Sequence, residues 1–148
     1  MKFFKSFYYA WCGLIEACRQ RNFRFHLCAM FFVFVFAGMF YSFTPEKWAI
    51  LMLTCSAVLS LEAVNTSIEN LADSVTEEYN EHIRIAKDCA AGAVLISAVF
   101  AVVIGVILFW NIDKFTLIVL YFSEPVRLSA LILALALAWG FIFLPKSK

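Results

Sequence analysis

Charge is scarce in this sequence, and that scarcity excludes most soluble folds. Asp, Glu, Lys and Arg make up 16% of the 148 residues, against about 25% in an ordinary soluble domain. Glycine and proline are scarce too, at five and three, so there is no flexible or Pro-rich linker. No basic stripe exists and the net charge is +1, which disfavours a nucleic-acid partner. The five cysteines, Cys12, Cys18, Cys28, Cys55 and Cys89, form no C-x-x-C pair and no metal-ligand spacing, so they read as small buried hydrophobes. Also absent are G-x-x-x-x-G-K-[ST], G-x-G-x-x-G and D-F-G, and with them the P-loop and the protein-kinase site.

Apolar surface is abundant instead. Hydrophobic residues reach 64%, with 17 phenylalanines, and mean hydropathy is +0.84. A soluble chain of this length still exposes about 30% of its unfolded area, so a core cannot hide so much apolar surface. Four stretches, residues 27–43, 48–75, 89–110 and 128–144, each approach or exceed the length of a bilayer-spanning helix, about 20 residues. Strands are excluded because an open sheet leaves backbone groups unpaired in lipid. The expected fold is an all-α membrane protein: an N-terminal amphipathic surface helix, three core spans within residues 1–110, and a 111–148 segment holding an external amphipathic stretch and a fourth span. No cleavable signal peptide is expected, since Arg19, Arg21 and Arg24 separate the N-terminal lysines from the first apolar run.

In the N-terminal segment Phe4, Phe7, Tyr8, Trp11, Leu14, Ile15 and Cys18 recur at three- and four-residue steps, the period of an amphipathic helix. Such a helix either lies flat among lipid headgroups or packs into the bundle. Nine of the twelve basic residues, Lys2, Lys5, Arg19, Arg21, Arg24, Arg84, Lys87, Lys146 and Lys148, fall on one side of a four-span topology. The positive-inside rule then puts both termini and the 73–88 loop in the cytoplasm of a bacterial inner membrane.

Chemistry concentrates in residues 59–96. Glu62, Asn65, Glu69 and Asp73 follow one another at steps of three, four and four residues. At that spacing the four side chains share one face of one helix. Leu61, Val64, Ile68, Leu71 and Val75 cover the other side. A carboxylate near the bilayer centre costs at least ~2.5–3.5 kcal/mol, less near an interface. Three acids in line with no basic partners in the spans call for protonation or a divalent cation. A polar face sealing a bundle by hydrogen bonds is the bland alternative. The arrangement suits phosphoryl transfer, which needs carboxylate metal ligands, a base and a cation near the phosphates: Glu69 for Mg²⁺, Glu62 for the alcohol proton, Lys87 for a phosphate. His26 reads as an interfacial anchor and His82 as a solvated loop residue.

Glu62-Ala-Val-Asn65-Thr-Ser-Ile-Glu69, then Asp73, Glu78-Tyr79 and Ala86-Lys87-Asp88, followed by Ala90-Ala91-Gly92-Ala93-Val94-Leu95, closely resembles the signature of the bacterial diacylglycerol kinase / undecaprenol kinase family. Residues 21–26 resemble that family's opening of its first span, and the likeness runs over about residues 7–110. The resemblance implies an integral-membrane, Mg²⁺- and ATP-dependent lipid kinase, a small homotrimer with a surface helix and three spans per chain. It implies Glu62 as general base, Asn65 in support, Glu69 on Mg²⁺, and Tyr9, Glu78, Tyr79, Asn80, Lys87 and Asp88 at the nucleotide. Two departures stand out. Asn80 occupies a position usually His. Gln20 occupies the position of a second metal-binding Glu, where an amide keeps a carbonyl oxygen but loses the charge. The Asn-Thr and Ala-Gly-Ala-Val-Leu variants resemble Gram-positive members and favour undecaprenol over diacylglycerol as acceptor. A rival of another class, kept alive by Gln20, is a non-catalytic membrane protein retaining the fold.

Overall fold

The computed structural model describes residues 2–75 and 79–145, in six helices and, among the described residues, no strand: α1 (Lys2–Ala17), α2 (Arg21–Phe40), α3 (Pro45–Val75), α4 (Glu81–Phe109), α5 (Ile112–Phe122) and α6 (Pro125–Ile142). Local chemistry sets most boundaries. The residue before a proline is pushed out of the helical region and proline is at ease in the first turn, so α2 ends at Phe40, residues 41–44 are extended or irregular, and α3 starts on Pro45. Asn80 caps α4, its side chain accepting from the His82 and Ile83 amides at 3.0 and 3.3 Å, and Asn111 caps α5 by accepting from the Lys114 amide at 2.9 Å. Asparagine at this position meets donors that no helical carbonyl can reach.

Four helices, α2, α3, α4 and α6, are long and apolar enough to cross a membrane, and their large hydrophobic side chains are widely exposed. An apolar surface of that extent is a lipid-facing surface; the chain is a multi-pass membrane protein. α1 lies on the outside of the bundle, touching α3, with its aromatic residues exposed.

Long-range contacts fix which helix ends share a side. Arg24, in the first turn of α2, donates to the Leu144 carbonyl just past α6 at 2.8 Å. Lys87 near the start of α4 meets Asp73 near the end of α3 at 2.9 Å. At the opposite end the Tyr41 hydroxyl donates to the Phe109 carbonyl at 2.8 Å, and Phe40 stands edge-on to Tyr121 at 5.2 Å. The four long helices therefore alternate in direction, with the start of α2, the end of α3, the start of α4 and the end of α6 together. In a cysteine-free background, Ser74→Cys and Ser123→Cys should react with a membrane-impermeant maleimide from opposite sides of sealed vesicles. Labelling of both from one side would contradict this topology.

Candidate active site

The interior is built mainly between α3 and α4, the most extensively paired helices. On α3 the buried polar residues are Glu62, Asn65 and Thr66, at 3%, 4% and 4% exposure. Glu69 is half-buried and Asp73 exposed, so the polar face runs from a closed interior to the open end of the bundle. Burying an ionised group without partners is expensive, and the surroundings answer that cost in part. The Asn65 side-chain amide donates to Glu69 Oε1 at 2.9 Å, while Asn65 Oδ1 is buried with no partner among the described residues. A buried acceptor in that position calls for a donor or a cation.

Glu62, Thr66 and Glu69 face the turn before α2. Together with Gln20, Arg21 and Asn22 they line a cavity of about 340 Å³. Gln20 is the N-cap residue of α2, yet its side chain makes no capping bond, which leaves its amide available to the cavity. Two carboxylates, an amide oxygen and a hydroxyl form a hard oxygen donor set that fits Mg²⁺, a cation that keeps several waters and takes its other ligands from phosphates. Among the described residues no three His, Cys, Asp or Glu side chains converge as a complete protein cage.

The remaining sequence-predicted residues divide. Lys87 meets Asp73 at the mouth of the polar face. The pair is largely exposed and such pairs contribute only ~0.2–1 kcal/mol, so the ammonium is free to turn to a stronger anion. Asn80 is engaged as the cap of α4. Asp88 is paired with Arg84 at 2.7 Å, and the Tyr79 hydroxyl donates to the Glu81 carboxylate. Tyr9 is exposed on α1 and outside the cavity lining. Glu16, one turn before Gln20, pairs with Arg19 at 2.9 Å instead of lining the cavity. Glu78 lies outside the described residues. Sequence reasoning missed Arg21, Asn22 and Thr66 as cavity residues. Thr66 was findable, because it stands four residues after Glu62, little more than one helical turn, and so belongs to the same polar face.

The prokaryotic diacylglycerol kinase family matches residues 8–109, a stretch that contains every described residue of the cavity. The chain is 38% identical over 109 residues to an undecaprenol kinase of Bacillus subtilis, covering 73% of this chain and 88% of that one. It is 43% identical over 102 residues to a diacylglycerol kinase of Synechocystis, covering 68% of this chain and 58% of that one. A diacylglycerol kinase of Escherichia coli is 36% identical over 62 residues, 42% of this chain and 51% of that one. With its cavity inside the matched region and the match spanning most of its length, the chain belongs to the prokaryotic diacylglycerol kinase family and is a lipid kinase.

Proposed function

We propose that the chain transfers the γ-phosphoryl group of ATP to the hydroxyl of undecaprenol, giving undecaprenyl phosphate and ADP at the cytoplasmic face of a bacterial inner membrane. The observation that carries this reading is the buried Glu62 carboxylate beside Glu69 and Gln20 in one cavity. Glu62 takes the acceptor proton as the lipid oxygen forms its bond to the γ-phosphorus and the bond to the ADP oxygen breaks. Asn65 holds Glu69 in place through its amide. Glu69 and the Gln20 carbonyl oxygen would hold Mg²⁺, which would neutralise charge on the phosphate oxygens. Arg21 and Asn22, in the first turn of α2, line the same space, and a guanidinium at a helix start favours phosphate there. Lys87 leaves Asp73 for the nucleotide phosphates. By family likeness Tyr79 and Glu78 serve as nucleotide contacts. The same reading extends to Tyr9, Asn80 and Asp88 only if each gives up its position or partner in this structure.

Support for undecaprenol comes from the relative that this chain covers over 88% of its length and that carries that name. The 43% identical relative named diacylglycerol kinase supports the second acceptor. Family likeness supports a homotrimer, in which neighbouring chains complete the exposed end of the polar face. Residues 1–110 serve as the kinase core and 111–148 as an addition to it. Side-by-side kcat/KM values for the two alcohols in mixed micelles test the assignment. The expected result favours undecaprenol by at least about tenfold, and a preference for diacylglycerol overturns it.

Gln20 gives a separate prediction. A site short of one carboxylate binds a hard cation more weakly. Gln20→Glu should therefore lower the Mg²⁺ concentration for half-maximal activity, whereas Glu16→Gln, distant from the cavity lining, should leave it unchanged. The reverse pattern would assign the ligand to Glu16. If only Gln20→Glu and not the wild type phosphorylated lipid, the non-catalytic reading would hold.

A further inference from the structure

Helix α6 lies beyond the residues shared with the family, and it is fastened to the part of α2 that borders the active-site cavity. Arg24 is 6% exposed, donates to the Leu144 carbonyl at 2.8 Å and lies 5.8 Å from the Phe141 ring centroid. Arg21 lies 5.8 Å from the Phe143 ring centroid. A guanidinium suits this position twice over, because it meets the negative end of the α6 dipole and stacks on aromatic faces. The result is a clasp that holds the end of α6 against the start of α2.

Behind the clasp is a second cavity of about 230 Å³, lined by Arg21, Asn22, Phe25, Trp139, Ile142 and Phe143. Arg21 and Asn22 belong also to the Glu62 cavity, so the two spaces adjoin through these residues. One is acidic and polar. The other is walled by three aromatic rings and an isoleucine. We propose that α6 builds a side pocket that binds the hydrocarbon next to the hydroxyl of the lipid alcohol, while that hydroxyl reaches Glu62 past Arg21 and Asn22. The proposal rests on the lipid-kinase reading of the α3 cavity. An apolar pocket beside a polar one matches an amphipathic acceptor, whose reacting oxygen and chain need opposite surroundings. Binding the chain on α6 makes this helix a determinant of acceptor specificity, with no part in nucleotide binding.

The test uses the full-length chain. Trp139→Ala and Phe143→Ala each remove a ring from the wall, and both residues are substantially exposed (66% and 48%), so folding should tolerate the loss. Each should raise the KM for lipid alcohol roughly five- to tenfold with kcat unchanged, and Trp139→Ala, which leaves the Phe143 ring under Arg21 in place, should also leave the KM for ATP unchanged. Leu137→Ala, on α6 but outside the pocket lining, should have no effect. In parallel, a long-chain alcohol carrying a diazirine close to its hydroxyl should label α6 between residues 139 and 143, with protection by unlabelled alcohol but not by phospholipid. An unchanged lipid KM in both ring variants overturns the proposal. So does labelling suppressed equally by phospholipid, which would mean an ordinary bilayer chain in the pocket, and so does labelling blocked by chain-to-chain association, which would mean a second copy on this face. Absence of phosphoryl transfer to any lipid by the wild type, with α6 still labelled, would fault the catalytic reading and leave the pocket standing.

Discussion

Glu62→Gln should reduce kcat for lipid phosphorylation by about 10²–10⁴, the usual cost of losing a general base, with little change in the KM for ATP. The carboxylate is 3% exposed and faces the cavity formed with Gln20, Arg21, Asn22, Thr66 and Glu69. An amide matches it in volume and still forms hydrogen bonds, but it cannot accept the acceptor's proton. It also removes a buried negative charge, so the variant should unfold no more easily than the wild type. Unchanged thermal stability together with lost turnover would thus locate the defect in the chemistry. Because the group acts on the alcohol and not on the nucleotide, the loss belongs in kcat. Near-normal turnover would show that another group takes the proton.

Glu69→Gln should produce a loss of a different kind. Glu69 Oε1 accepts from the Asn65 amide at 2.9 Å, and a glutamine oxygen can keep that bond. What disappears is the charge offered to the cation. Even outer partners of metal ligands are worth 10–100-fold in metal affinity, so the Mg²⁺ concentration for half-maximal activity should rise by about 10²-fold. Activity should return in part at high Mg²⁺, which distinguishes this variant from Glu62→Gln, where no Mg²⁺ concentration should help. An unchanged Mg²⁺ requirement would remove Glu69 from the metal site.

The face that brings Glu62, Asn65 and Glu69 together was legible because charge inside an apolar helix is costly and therefore conspicuous. Thr66 sits on the same face and is as deeply buried, but a neutral hydroxyl in a helix carries little penalty and drew no notice. The apolar runs located all four long helices, which extend beyond them: α2 begins at Arg21 and α4 at Glu81, ahead of the runs at 27 and 89. Hydropathy marks what lipid touches, whereas helical hydrogen bonding continues through charged turns. The last run, to residue 144, passes the end of α6 at Ile142 by two residues. Arg24 was legible only as a positive charge orienting the chain. Its burial against α6 depends on a partner 120 residues away, and no local pattern encodes that. Asn80 shows the converse. Its capping of α4 is a local property, readable from an Asn ahead of a helix, and the family resemblance drew attention to a nucleotide role instead.

Phosphoryl transfer to a lipid alcohol in the Glu62 cavity can be measured in one assay. The assay incubates the purified full-length chain with ATP labelled on the γ-phosphate, Mg²⁺ and undecaprenol in mixed micelles, with the Glu62→Gln chain alongside, and counts label extracted with the lipid. The predicted result is labelled lipid phosphate from the wild type, dependent on both the alcohol and Mg²⁺, and about 10²–10⁴-fold less from Glu62→Gln. Lipid labelling at equal rates by the two chains, or by neither with undecaprenol or diacylglycerol at any Mg²⁺ concentration, would contradict it.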